Sequence, residues 1–269
     1  MAVFTHVEES DIHILCKNGF SKEDIKTIYE EHRLRYKDVT LVHYNSGKLL
    51  LQGSSSSVKE VDKVIRSLGI GEKVKQETYR KEEGIIIGSD ETLKGDTFGG
   101  LVVAAVKADK EKRKELIQLG VADSKTLSDK EILPMADKIR KIVECQVKAI
   151  LPEEYNRSEG MTNLMNRMHK EVANYLKPGT HIVDKYPGCA VGDIAEEKAE
   201  SKYVEVAAAS ILARAAGLRQ LDYLSMKAGF TIPKGSSHVK LALMELKERG
   251  LDFREFVKLH FRNVDEFLK

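Results

Sequence analysis

The chain has 269 residues, enough for one large domain or two smaller ones. Hydrophobic residues make up 42% of it, and the formal net charge is only +2 although 32% of the residues are charged. This balance argues against a purely electrostatic nucleic-acid tail but allows a local basic groove. Three widely spaced cysteines without a C-x-x-C pair argue against a zinc knuckle or a disulfide framework. Without a basic signal region or a long apolar stretch, we expect a soluble cytoplasmic protein with no membrane partner.

The first part of the chain predicts a small α+β domain over residues 1–72. An acidic first turn predicts a helix over 21–31. Alternating apolar and polar residues predict a half-buried strand over 38–46, and the KLLLQG segment after Gly47 predicts the returning strand of a hairpin. Apolar residues at helical spacing predict a second helix over 54–68.

Residues 73–83 are highly charged and lack an apolar period, so they predict a linker, with a surface helix as the alternative. We expect a second domain over residues 84–269. Its predicted strands cover 84–91, 99–108, 145–151 and 180–184, and its predicted helices cover 111–119, 128–143, 160–176, 203–226, 237–249 and 253–259. Strands separated by helices indicate a mixed α/β sheet.

Two predicted strands of the second domain end in acidic residues. Asp90 and Glu91 end the first strand, and Asp184 ends a later one. Carboxylates that meet at strand ends repel each other unless a cation compensates them, and hard oxygen donors favour Mg²⁺ or Mn²⁺. The alternative is a set of solvated acids at ordinary turns. Neighbouring residues of a strand face opposite sides, so Asp90 and Glu91 can share a metal only if the strand bends or if one of them acts partly through its backbone carbonyl.

Several segments resemble motifs of the bacterial ribonuclease HII/HIII family. They are GSDETLKGDTFGGLVVAAV (88–106), VADSKTLSD (121–129), HIVDKYPG (181–188), ESKYVEVAAASILAR (200–214), FTIPKGSSHVKLAL (230–243) and KLHFRN (258–263). YNSGKLLLQG (44–53) is similar to the signature of a small N-terminal domain particular to the HIII type, which is related in fold to the TATA-box-binding protein. The resemblance therefore covers both predicted domains.

The resemblance implies a ribonuclease H-like mixed β-sheet flanked by helices, with a TATA-binding-protein-like N-terminal domain. It implies a metal site of Asp90, Glu91, Asp184 and Glu200 that holds two Mg²⁺ or Mn²⁺ ions. The implied activity is endonucleolytic hydrolysis of the RNA strand of RNA·DNA hybrids, leaving 5′-phosphate and 3′-hydroxyl ends. We expect a monomer. The fourth acid is usually Asp in the HII type, whereas the HIII type tolerates Glu at this position.

The same resemblance implies that Lys94 and Gly95 read the ribose 2′-hydroxyl. Leu93 stands where the family usually has glycine, so we expect strain or a shifted loop if that position needs a positive φ. Ser124 and Lys125 are candidates for phosphate binding, with a plain turn as the alternative. The Ser210 hydroxyl is expected to bond to its own helix.

Around the N-terminal hairpin, four polar side chains are candidates for contacts with a duplex backbone. They are Tyr44, Ser46, Lys48 and Gln52. A solvated sheet edge is the alternative. Three other functions also stay open: HII-like cleavage at single embedded ribonucleotides, a catalytically impaired hybrid-binding protein, and another nuclease of the same fold such as a junction resolvase. Leu93 and Glu200 motivate the impaired protein.

Overall fold

A computed structural model of the chain describes residues 2–73, 83–121 and 127–268. The chain folds into two compact units, Met1–Gln76 and Glu77–Lys269. The strands of the first unit are β1 (Ala2–Thr5), β2 (Ser21–Glu23), β3 (Glu30–Tyr36), β4 (Val39–Tyr44), β5 (Leu49–Gln52) and β6 (Glu72–Lys73), and its helices are α1 (Glu9–Lys17) and α2 (Ser55–Ser67). These strands form one antiparallel sheet with the order β2-β3-β4-β5-β1-β6.

The N-terminal hairpin and α2 confirm the sequence prediction, but the predicted helix over 21–31 is wrong. Ser21–Glu23 instead forms a strand that pairs antiparallel with β3. The apolar residues of this segment are exposed, with Ile28 at 82% and Tyr29 at 68% exposure, so no core contact supports a helical turn. Glu30 is buried and accepts hydrogen bonds from the Arg33 guanidinium and the Lys26 backbone N–H. Strand pairing and this buried carboxylate therefore override the local helix signal.

The second unit contains a five-stranded mixed sheet. β7 (Ile86–Thr92), β8 (Leu101–Ala108) and β9 (Glu144–Ile150) pair antiparallel, whereas β10 (Thr180–Asp184) runs parallel to β7 and to β11 (Ile194–Glu196). The strand order is therefore β11-β10-β7-β8-β9. The helices are α3 (Lys110–Leu119), α4 (Asp129–Ile142), α5 (Pro152–Asn156), α6 (Met161–Leu176), α7 (Val204–Ala228), α8 (Lys240–Glu248) and α9 (Arg262–Leu268). The predicted mixed sheet is thus confirmed.

Helices pack on both faces of this sheet. The apolar residues of α6 pack on one face, against Ile87 and Val183 among others. α7 packs on the other face, and Gly88 explains how close it comes: a Cβ at Gly88 would lie 2.4 Å from the backbone nitrogen of Val206. Strand residues with even numbers from 86 to 90 therefore face α7, and those with odd numbers from 87 to 91 face α6.

The predicted helix over 253–259 is also wrong. Only Phe253–Glu255 forms a single 3₁₀ turn, and Val257 then makes a β-bridge with Phe98. The Lys258 backbone N–H donates to the Thr97 carbonyl at 2.9 Å, which continues this pairing. A long-range backbone contact thus replaces the local helix. Among the described residues, no helix has both the length and the apolarity needed to cross a membrane.

Candidate active site

The end of β7 presents two acids to opposite faces of the sheet. Asp90 faces α7, where the Ser210 hydroxyl hydrogen-bonds to its carboxylate. The sequence suggested a bond from Ser210 to its own helix and did not reveal this contact with Asp90. Glu91 lies on the α6 side, where its Oε1 accepts a hydrogen bond from Lys94 Nζ at 2.5 Å and its Oε2 lies 3.3 Å from His169 Nε2. The strand alternation foreseen from the sequence is therefore present.

Asp184 lies beside Asp90 because β10 runs parallel to β7. The register pairs Val183 with Ser89, so Asp184 at the end of β10 is a neighbour of Asp90 on the α7 face. Its Oδ1 accepts a hydrogen bond from the Ala199 backbone N–H at 2.9 Å. The next residue, Glu200, is buried in the 3₁₀ turn Ala199–Ser201, and its carboxylate lies within hydrogen-bonding reach of the Asp184 carboxylate.

Burial, reinforced by repulsion between neighbouring carboxylates, raises the pKa values of the acids on the α7 face. Burial raises the pKa of Asp90 well above its usual range, and the negative charges of Glu91 and Asp184 raise it further. Burial also raises the pKa of Asp184 to about 6, and the nearby Glu200 adds to this increase. Glu91 differs, because contacts with His169 and Lys94 outweigh its burial and keep its pKa below the usual value. On the α7 face, the pKa values of Asp90 and Asp184 are thus raised by burial and by neighbouring carboxylates.

These acids form a donor set that suits a hard divalent cation. All four ligands would be carboxylates, and raised pKa values at two of them show that added positive charge would be favourable. Within 2–73, 83–121 and 127–268, however, no three or more His, Cys, Asp or Glu side chains are already arranged as a metal site. Asp90, Asp184 and Glu200 share one side of the sheet, and Glu91 approaches from the other.

The loop after β7 begins with Leu93 in a left-handed conformation, at a φ of +65°. This confirms that the position uses a positive φ, which costs a leucine about 1 kcal/mol. The Leu93 side chain is only 5% exposed and packs beside Gly99 and Gly217, where any larger side chain would crowd it. Burial of the leucine side chain therefore offsets the backbone strain.

The two candidate ribose-reading residues follow at once. Lys94 Nζ pairs with Glu91 and lies 5.8 Å from the centroid of the Tyr186 ring. Gly95 is unusual among the glycines near the site, because an added Cβ would meet nothing within 4 Å and its φ is not in the left-handed range. The fold itself does not require glycine there, so the open space is available to a bound molecule.

The remaining candidates lie elsewhere. Ser124 and Lys125 lie outside the described residues. Tyr44, Ser46, Lys48 and Gln52 belong to the first unit, on or next to the hairpin of β4 and β5. Ser46, Lys48 and Gln52 are exposed and Tyr44 is half-buried. Gln52 pairs with Thr40, and neither belongs to the apolar core that joins the sheet to α1 and α2.

Lys258 stabilises the loop after β7 through hydrogen bonds to its backbone carbonyls, a role that the sequence did not reveal. Its fully buried Nζ donates hydrogen bonds to the carbonyls of Asp96 at 2.7 Å and Gly99 at 2.9 Å. The Asp96 carboxylate in turn accepts a bond from the Gly235 backbone N–H at 2.6 Å. The only sequence signal was the KLHFRN motif, which suggested a family but no role.

Comparison with known proteins decides the family. Residues 87–264 match the family profile described as Ribonuclease HII. The chain is 34% identical to Ribonuclease HIII of Bacillus velezensis over 84% of each chain, and 30% identical to Ribonuclease HIII of Streptococcus agalactiae over 90% of this chain and 93% of the relative. The chain belongs to the ribonuclease HIII family. The family expected from the sequence motifs is therefore confirmed, and with it the assignment as a ribonuclease, a phosphodiester hydrolase.

A solved structure supports the same fold. The crystal structure of Bst-RNase HIII in complex with Mn²⁺ superimposes with a TM-score of 0.61 at 27% identity, covering 99% of this chain and 97% of that one. This confirms the expected ribonuclease H-like mixed sheet together with a small N-terminal unit. The ribonuclease HIII family thus accounts for both units of the chain.

Proposed function

We propose that the chain is an endonuclease that hydrolyses the RNA strand of RNA·DNA hybrids with divalent metal ions, and that Asp90, Glu91, Asp184 and Glu200 hold those ions. The observation that carries this proposal is the meeting of Asp90 and Asp184 at the ends of two parallel strands, with raised pKa values and Glu200 beside them. Such a group of carboxylates is costly without a cation. The Mn²⁺ bound by Bst-RNase HIII supports the same assignment.

Bound Mg²⁺ or Mn²⁺ would activate water and stabilise the leaving oxygen of an in-line phosphodiester hydrolysis, which leaves 5′-phosphate and 3′-hydroxyl ends. The chain's own groups orient the acids. The Ser210 hydroxyl holds the Asp90 carboxylate, and the Ala199 N–H holds one oxygen of Asp184. Lys94 Nζ donates a hydrogen bond to one oxygen of Glu91 and so orients this carboxylate.

For substrate recognition, we assign ribose contacts to Lys94 and Gly95. The open space over Gly95 supports a close approach of the RNA backbone, since a side chain there would occupy that space. Ser124 and Lys125 are proposed to bind a phosphate. Tyr44, Ser46, Lys48 and Gln52 are proposed to track the duplex backbone from a substrate-binding domain over 1–72, joined by a linker over 73–83 to a catalytic domain over 84–269.

We further propose a monomeric, cytoplasmic enzyme. The three cysteines are free, which fits a reducing compartment.

A substrate panel tests the proposed activity. The full chain is incubated with end-labelled duplexes in Mg²⁺, in Mn²⁺ and in EDTA, using an RNA·DNA hybrid, a DNA duplex with one embedded ribonucleotide, and an all-DNA duplex. We expect cleavage of the RNA strand of the hybrid in either metal, little cleavage at the single ribonucleotide, and none in EDTA. Hybrid cleavage that persists in EDTA, or none in either metal, would contradict the proposal. Binding without cleavage would instead favour the impaired hybrid-binding protein.

A further inference from the structure

Behind the acids, the core on the α6 side contains a hydrogen-bonded network of three buried polar side chains, those of Ser89, His169 and His181. Ser89 Oγ lies 2.8 Å from His169 Nδ1 and 2.8 Å from His181 Nε2. Ser89 and His169 have no exposed surface, and His181 is 6% exposed. Their surroundings are apolar, formed by β7, β8, β10 and α6. Burying three polar side chains costs free energy unless all are hydrogen-bonded, so packing alone does not explain them.

The Glu91 carboxylate, at one end of this network, fixes the positions of the protons. Glu91 Oε2 lies 3.3 Å from His169 Nε2, and among the described residues neither of these buried atoms makes a hydrogen bond to any other group. Because a carboxylate can only accept, we infer that this nitrogen carries the hydrogen. In the neutral imidazole, His169 Nδ1 is then bare and accepts the Ser89 hydroxyl proton. Ser89 Oγ in turn accepts from His181 Nε2–H. Burial lowers the pKa of His181 to about 4, which keeps this ring neutral.

Two further contacts fix the network: a backbone hydrogen bond at His181 and a ring contact at His169. The His181 backbone N–H donates to the Asp193 carboxylate at 2.8 Å, which ties β10 to the following loop. The Tyr186 ring packs against the His169 ring, with centroids 5.4 Å apart. Neither contact offers His169 an alternative hydrogen-bond partner, so its ring is held in the orientation that points Nε2 at Glu91.

We propose that His169 is a positioning residue that holds the Glu91 carboxylate at the end of β7, and that Ser89 and His181 fix the orientation and tautomer of His169. This inference rests on the proposed metal-binding role of Glu91. Glu91 is the acid that faces away from the other three, so the orientation of its carboxylate is set by its own neighbours. Partners that orient a metal ligand in this way commonly contribute about 10–100-fold to metal affinity.

Mn²⁺ affinity of the full chain, measured by calorimetry and by electron paramagnetic resonance, is the first test. His169→Leu should weaken Mn²⁺ binding about 10–100-fold, and Ser89→Ala should weaken it in the same direction. His169→Gln retains an amide donor near Nε2 and should recover much of the loss. His13→Gln is the matched control on α1, where the exposed ring hydrogen-bonds to the Glu9 carbonyl, and it should bind Mn²⁺ as the wild type does.

Imidazole ¹⁵N spectra of the metal-free protein are the second test, and they do not depend on metal binding. We expect His169 to carry its hydrogen on Nε2, and we expect Ser89→Ala to perturb both His169 and His181. A hydrogen on His169 Nδ1 would overturn the proposal. So would equal losses of Mn²⁺ affinity in His169→Leu and His169→Gln, since these indicate a packing role only.

The Glu91→Gln variant separates the two proposals. If Glu91→Gln weakens Mn²⁺ binding and His169→Leu does not, the positioning role is wrong and the metal site stands. If Glu91→Gln binds Mn²⁺ as tightly as the wild type, the proposed metal role of Glu91 is wrong, and the positioning role fails with it.

Discussion

Lys258 is expected to make the free energy of unfolding rise with pH. Its buried Nζ faces two carbonyl acceptors, those of Asp96 and Gly99, and burial lowers its pKa to about 7 despite the charge of Asp96. A neutral amine has two N–H donors, which match these two acceptors. In the unfolded chain a lysine has a pKa of about 10.4. Between these two values the unfolded state therefore binds more protons than the folded state.

The sign and size of the effect follow from this difference. Where the unfolded state binds one more proton, the free energy of unfolding rises with pH by up to about 1.4 kcal/mol per pH unit. Below about pH 7 both states are protonated and the contribution is constant. Lys258→Met removes the titration and leaves two buried carbonyls without a donor, at a cost of about 1–3 kcal/mol each. The stability difference between wild type and Lys258→Met should therefore grow by about 2 kcal/mol from pH 7 to pH 9.

Urea unfolding at half-unit pH steps, followed by tyrosine fluorescence, measures this difference. Tyr155 is a suitable probe because its ring lies 5.4 Å from Lys258 Nζ and burial raises the pKa of its hydroxyl to about 12. Lys240→Met, at an exposed position on α8, is the control and should follow the wild-type curve. Parallel curves for wild type and Lys258→Met would refute the reasoning.

Three further substitutions have expected outcomes. Gly95→Ala should change the free energy of unfolding by less than about 0.5 kcal/mol, yet slow hybrid cleavage about tenfold or more by blocking the RNA; equal cleavage rates would remove Gly95 from the substrate site. Leu93→Gly should relieve about 1 kcal/mol of backbone strain but leave a cavity that costs about 2–5 kcal/mol. Urea unfolding should therefore show a lower free energy of unfolding, and an increase would contradict the packing argument. Arg113→Met should lower the free energy of unfolding by about 3–5 kcal/mol, because it removes the cation that pairs with buried Glu205 at 2.6 Å. Adding Glu205→Leu should restore much of this loss in thermal melts, and no recovery in the double variant would mean that the ion pair is not the cause.

Elements with a strong periodic pattern were predictable from the sequence. The apolar runs of β7, β8 and β10 produced strands near the expected positions. The helix predicted over 128–143 is also present as α4, which begins after a capping box formed by Ser128 and Glu131. The two wrong helices share a cause. Both segments had helical local signals, but backbone pairing with a distant strand or loop satisfies their hydrogen bonds instead. Such long-range pairing leaves no local pattern.

The candidate acids were predictable because strand ends collect functional groups, but the supporting side chains were not. Asp90 and Asp184 follow apolar runs that end abruptly, so their positions are visible in the sequence. Ser210, His169 and Lys258 act on residues 78 or more positions away, and their types are common in helices and loops. Only the fold brings them to the site. The positive φ at Leu93 was predictable only through the family resemblance.

Asp90→Asn tests the central claim most directly, because it removes one charge from the acid cluster without changing its shape. We would measure cleavage of a labelled RNA·DNA hybrid in Mg²⁺ and in Mn²⁺, and binding of the same hybrid in EDTA, for wild type and variant. The account predicts that cleavage is abolished in both metals, while the hybrid binds with an unchanged dissociation constant. Cleavage by Asp90→Asn at the wild-type rate, or a parallel loss of binding and cleavage, would contradict a metal-binding role for Asp90.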